Sequence, residues 1–148
     1  MYDAAGSFSR LQASVFPMTD TKQSPRPPIL VVEDDAAIRR IVLAQLKALG
    51  YEARAAANGP AALALLDEGF RPGLLFTDLG MPGGMDGFEL ADAVSGRMPQ
   101  IRVLFTSGSG EPDEDAAGPR RHILAKPYPR AALAAKLDEM WASAPYRG

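Results

Sequence analysis

Residues 74–90, LLFTDLGMPGGMDGFEL, decide how the rest of the chain is read. A short apolar run, LLFT, has the length and composition of a strand covered on both faces, and it ends on an aspartate, Asp78. Two Gly/Pro-rich turns follow, and Asp86 with Glu89 then forms a capping-box start to a helix carrying Phe88, Leu90, Ala91 and Val94. The unit is therefore strand, carboxylate at the strand's carboxyl end, loop and helix.

The same unit recurs on either side. Upstream, ILVV runs into Glu33, Asp34 and Asp35, and Asp35 can cap a helix whose Ile38, Ile41, Val42, Leu46 and Leu49 keep helical spacing as far as Gly50. YEARA, residues 51–55, reads as a second strand, and Asn58 with Pro60 opens a second helix running through Leu63, Leu65 and Leu66 to Gly69. Downstream, IRVLF at 101–105 and HILA at 122–125 are the fourth and fifth strands, and Leu133, Leu137, Met140 and Trp141 form the apolar stripe of a last helix. Strands alternating with helices at this spacing require right-handed crossovers. The expected fold class is α/β, a three-layer sandwich built on a doubly wound five-stranded parallel sheet. Between the fourth and fifth strands, Gly108, Gly110, Pro112, Gly118 and Pro119 leave room for at most a turn or so of helix.

Composition narrows the function classes. A chain of 148 residues has room for one ordinary core, and 47% hydrophobic with 23% charged residues is a globular balance. A net charge of -2 leaves no basic footprint for nucleic acid. No apolar run approaches the ~18 residues of a membrane span, and no signal peptide is evident, so the expected location is the cytoplasm. With no cysteine and one histidine, thiolate and multi-His metal sites are excluded, and any metal must be held by oxygen. Residues 1–28 contain Pro17, Pro25, Pro27 and Pro28 among Ser and Thr and read as a disordered tail, although Phe8, Leu11 and Val15 could line one face of a short helix and dock a partner. The domain is expected over 29–142, with a C-terminal tail at 143–148.

In open parallel sheets, ligands bind beyond the carboxyl ends of the strands, where strand order reverses. Read together, the strand ends here carry Glu33, Asp34 and Asp35, then Asp78, then Thr106, Ser107 and Gly108, then Lys126 and Pro127. Carboxylates pushed together repel unless a cation lies among them, and Mg²⁺ takes one or two carboxylates, water and phosphate oxygens. Glu33, Asp34 and Asp78 fit that role. Thr106 can donate to a phosphoryl oxygen and Lys126 can offset its charge, which equips Asp78 as a nucleophile toward phosphorus.

The motifs VVEDD, TDLGMPGGMDG, LFTSG and AKPY, in that order, resemble a response-regulator receiver domain of bacterial two-component signalling, over about residues 28–141. The resemblance implies that Asp78 is the phospho-acceptor, that Glu33 and Asp34 hold Mg²⁺ with the backbone carbonyl of Gly80, that Thr106 is the switch hydroxyl, and that Lys126 contacts the phosphoryl group. It further implies a histidine kinase or phosphotransfer protein as donor and an unidentified downstream protein as target. The Lys126–Pro127 bond is often cis in such domains.

Two departures stand out. The PGGMDG loop carries an extra glycine, similar to receivers attached to hybrid histidine kinases, so that Gly83 and Gly84 should leave the turn roomy. Many receivers also carry an aromatic residue three positions before the lysine, and here that residue is Ile123. The expected response to phosphorylation therefore falls on residues 107–121, including Arg120 and Arg121. His122, beside those arginines, reads as a solvated residue and not a relay histidine.

The leading expectation is a stand-alone receiver that is not an enzyme toward any separate substrate. The alternatives are a receiver-like interaction module indifferent to phosphate, and an aspartyl-phosphate phosphatase. The phosphatase needs a second Asp two residues after the nucleophile, where Gly80 stands. A flavin-phosphate carrier is disfavoured by the acidic residues after the first strand.

Overall fold

The structure is a computed structural model, and it describes residues 26–81, 84–108 and 122–147. In chain order the elements are β1 (Ile29–Val32), α1 (Ala36–Ala48), β2 (Ala53–Ala56), α2 (Gly59–Asp67), β3 (Leu74–Asp78), α3 (Gly87–Arg97), β4 (Arg102–Ser107), β5 (His122–Ala125) and α4 (Arg130–Trp141). All strand pairs are parallel, in the order β2-β1-β3-β4-β5. Strand order reverses between β1 and β3, so a crevice opens at their carboxyl ends. The helix expectation for the stretch between β4 and β5 lies outside the described residues, as do most of the N-terminal tail, Gly83, Arg120 and Arg121.

The helices begin and end where their sequence chemistry dictates. Asp35 accepts from the amides of Ala37 and Ile38, Asn58 from Ala61, and Asp86 and Glu89 form a complete capping box. At the C-termini, Gly50 and Gly69 adopt positive φ, and the amides of Tyr51 and Phe70 return to the carbonyls of Leu46 and Leu65. Both are Schellman motifs that direct an apolar residue back onto the helix just completed. Tyr51, expected in β2, therefore belongs to the helix end, and β2 starts at Ala53.

Two apolar layers sandwich the sheet. Val42, Leu46, Leu133, Leu137 and Met140 of α1 and α4 pack on one face with Ile29, Val31, Leu74, Phe76 and Leu104. On the other, Ala62, Leu66, Leu90, Ala91 and Val94 of α2 and α3 cover Leu30, Val32, Leu75, Val103 and Phe105. β1 is buried along its whole length, as a doubly covered parallel strand must be. The C-terminal residues expected as a tail lie back on the second layer: Tyr146 is buried, its amide donates to Ile101 O and its hydroxyl bonds Asp92. β4 runs two residues beyond the expected Phe105, because Thr106 and Ser107 pair with Leu124 and Ala125 of β5.

Candidate functional site

The acidic groups meet at the crevice. The amide of Glu33 still pairs with Ala56 O, so the residue continues the line of β1 and its side chain is buried beneath the strand end. Its Oε2 accepts from the amide of Asp35 at 3.1 Å and its Oε1 from Lys126 Nζ at 2.9 Å. Asp34, the next residue, is exposed. Asp78 closes β3, with Oδ1 accepting from the amide of Gly80 at 3.3 Å and Oδ2 from Lys126 Nζ at 3.0 Å. Carboxylate oxygens of Glu33, Asp34 and Asp78 all lie within 4.8 Å of one another. Asp35 is turned away to its capping role.

Thr106 faces Asp78 across the β3–β4 ladder and is buried, and its carbonyl accepts from the amide of Leu79 at 2.8 Å. That bond carries the ladder one residue past the acid and fixes the height of Asp78 relative to Thr106. Lys126 follows β5 directly, its amide donating to Ser107 O and its peptide bond to Pro127 cis. Six of the residues singled out in the sequence, Glu33, Asp34, Asp78, Gly80, Thr106 and Lys126, are thus brought to one edge of the sheet.

The ammonium of Lys126 is the centre of this electrostatic cluster. Burial pulls its pKa down, but the hydrogen bonds it donates to Glu33 and Asp78 outweigh that and hold it above the usual lysine value. Three carboxylates against one ammonium leave a formal excess of two negative charges, a donor set of hard oxygens suited to a divalent ion such as Mg²⁺.

Two residues the sequence reading passed over also shape the site. Tyr128 lines a small cavity with Glu33, Asp78 and Thr106, and its ring leans on Phe76. Burial pushes its hydroxyl up to about 12, so it stays protonated. Gly87 opens α3 directly against the acid-bearing strand end: a Cβ there would stand 2.5 Å from the carbonyl oxygen of Asp78 and 2.9 Å from Leu79 Cα. Its own amide donates to Leu79 O. The signal available in the sequence was the glycine in the MDG triplet, at the first position of a capped helix. Ile123, in place of the aromatic, is partly buried on the layer that holds Phe105.

Comparison with known proteins agrees with this architecture. Residues 29–138 match the response regulator receiver domain family. The chain is 34% identical over 117 residues to the response regulator receiver protein CpdR of Brucella abortus, covering 76% of this chain and 94% of that protein. It is 34% identical over 104 residues to the nitrogen assimilation regulatory protein NtrX of Azorhizobium caulinodans, covering 68% of this chain but only 23% of that longer protein. Among solved structures, the chemotaxis protein CheY4 of Vibrio cholerae superposes with a TM-score of 0.69 at 28% identity, over 77% of this chain and 98% of that one. A doubly wound sheet of order 2-1-3-4-5, an acidic cluster at its switch point and a family match over most of its length together make this chain a member of the response regulator receiver domain family of two-component signalling.

Proposed function

We propose that Asp78 accepts a phosphoryl group from a phosphohistidine on a histidine kinase or phosphotransfer protein, and that the phosphorylated domain signals by changing which protein it binds. The observation that carries this reading is the bridge from Lys126 Nζ to Glu33 Oε1 and Asp78 Oδ2, 2.9 and 3.0 Å, inside a three-carboxylate cluster. A structural salt bridge needs one acid. A lysine shared by two acids, with a third alongside, is an arrangement for receiving an anion together with a cation.

In the transfer, a carboxylate oxygen of Asp78 forms the new O–P bond as the P–N bond of the phosphohistidine breaks, and the departing imidazole nitrogen keeps the electron pair and takes up a proton. Glu33, Asp34, Asp78 and the Gly80 carbonyl would hold Mg²⁺, which when bound would supply positive charge to offset that of the phosphoryl group. Lys126 neutralises a further oxygen, and the Thr106 hydroxyl donates to another. Tyr128, protonated and apolar-faced, keeps water from one wall. The domain acts on no separate substrate; it promotes only the gain and loss of its own phosphoryl group.

Incubation with a small phosphodonor and Mg²⁺, followed by intact mass and peptide mapping, tests this. Phosphate is expected on Asp78 alone, with none added to Asp78→Asn or when the metal is chelated. Labelling of Asp78→Asn to the wild-type extent would refute the assignment, and an unlabelled wild type would favour the phosphate-indifferent interaction module.

A further inference from the structure

Arg39 stands in the first turn of α1, and its side chain runs back toward the helix start, the direction in which helical side chains tilt. There Nη1 donates to the carbonyl of Glu33 at 2.7 Å and, at 3.4 Å, to that of Asp34. Among the described residues no backbone amide and no other side chain donates to either carbonyl. The cause is topological. The ladders of β1 end at Val32, and the first helical bond of α1 runs from Arg39 N to Asp35 O, so the two carbonyls between belong to neither element. A carbonyl without a donor at a half-buried turn swings toward water. Arg39 thus fixes the two peptide groups that flank Asp34.

The three acids of the cluster differ in what else holds them. The Glu33 carboxylate is tied by Lys126 and the amide of Asp35, and the Asp78 carboxylate by Lys126 and the amide of Gly80. The Asp34 side chain is exposed and makes no hydrogen bond or ion pair among the described residues, yet one of its oxygens lies within 4.8 Å of oxygens of the other two. Its place is set by its backbone alone. We propose that Arg39 is a positioning residue of the metal site: by holding the carbonyls on either side of Asp34, it aims that carboxylate into the cluster. The proposal rests on the reading of the cluster as a Mg²⁺ site given above.

Charge alone would give Arg39 the opposite effect. A guanidinium beside the acidic turn repels a divalent ion, so its removal by itself would tighten metal binding. Both ion pairs of the cluster are made by Lys126, and Arg39 takes none of the carboxylate oxygens that a metal needs. Its two hydrogen bonds go to backbone, where they orient a ligand without competing for it. Positioning and simple electrostatics therefore predict changes of opposite sign when Arg39 is lost.

Calorimetric titration of the full chain with Mg²⁺, in the absence of any phosphodonor, tests the proposal. Arg39→Met keeps the aliphatic stem and removes the donor, and it should bind Mg²⁺ on the order of tenfold more weakly than wild type, as when a partner that orients a metal ligand is lost. Arg40→Met removes the same charge from the next, exposed position and should bind at least as tightly as wild type. In an Asp34→Asn background the Arg39→Met change should cost less than about twofold, because the ligand it aims is gone. Wild-type or tighter binding by Arg39→Met would overturn the proposal, as would equal weakening in Arg40→Met or an undiminished loss in the Asp34→Asn background. If Arg39→Met does not fold, Arg39→Lys carries the test: it keeps the charge but its ammonium falls a bond short of Nη1, so a several-fold loss is expected and unchanged affinity overturns the proposal equally. A wild type that takes up no Mg²⁺ would remove the metal site itself and this proposal with it, whereas wild-type binding left intact by Arg39→Met removes this proposal alone.

Discussion

Lys126 holds Glu33 and Asp78 together where a divalent ion would also bind, so ammonium and metal compete for the same oxygens. Lys126→Met should therefore strengthen Mg²⁺ binding by roughly 1 kcal/mol, about fivefold, while slowing phosphoryl transfer. Calorimetric titration checks the sign, and weaker binding in the variant would show that the lysine organises the metal site instead of opposing it. His122 gives a second prediction at this scale. Partial burial and Lys136 lower its pKa from 6.5, and Glu139, 3.6 Å away, pulls the other way without prevailing. The unfolded chain then binds the proton more readily than the folded one. Stability is full above 6.5 and falls as the pH drops from there toward the lowered folded value. Urea midpoints at pH 7.5 and about 5.5 should differ less in His122→Gln than in wild type. The site residues themselves were legible because each sits at a strand end beside recognisable turn chemistry. The Lys126–Glu33 bond was not, because 93 residues separate the partners and only the sheet order brings them together.

The start of α3 joins stability to function. Asp86→Ala removes one half of the capping box and should lower stability by about 0.5–2 kcal/mol, with phosphorylation close to wild type. Gly87→Ala differs in kind, because the added methyl would meet backbone and not a movable side chain: the Asp78 carbonyl at 2.5 Å. It should displace the acid-bearing strand end and reduce phosphorylation at least tenfold, the effect expected of a small misplacement of a reacting group. Equal losses in the two variants would mean that helix stability alone is at stake. Element types and caps followed from local pattern, since capping and Schellman signals act within a few residues. Strand limits shifted by about two residues where a partner strand or a helix end made the decision: β4 lengthened to meet β5, and Tyr51 was drawn into the end of α1. Tyr128 escaped notice for a related reason, since nothing local shows that the residue after Lys126-Pro127 packs on Phe76.

For the molecule as a whole, the alternation of strands and helices was enough to give the layers, and the strand-end rule was enough to give the edge that carries the chemistry. The sequence was silent on how the ends of the chain are used. Tyr146 seals the α2–α3 layer and Arg26 caps Tyr51, both contacts made by residues that composition alone assigns to tails. The pairing of Tyr51 with Trp141 has an optical consequence. The single tryptophan stacks on Tyr51 and lies under the guanidinium of Arg102, at the amino-terminal edge of the sheet, whereas Asp78 stands at the carboxyl edge, about 13 Å away along β3. Its emission should therefore stay constant when Mg²⁺ or a phosphodonor is added, and change only when the fold itself is lost. Intrinsic fluorescence will serve as a gauge of unfolding for every variant above, and following the acid cluster by light will require a chromophore placed at the other end of the strands.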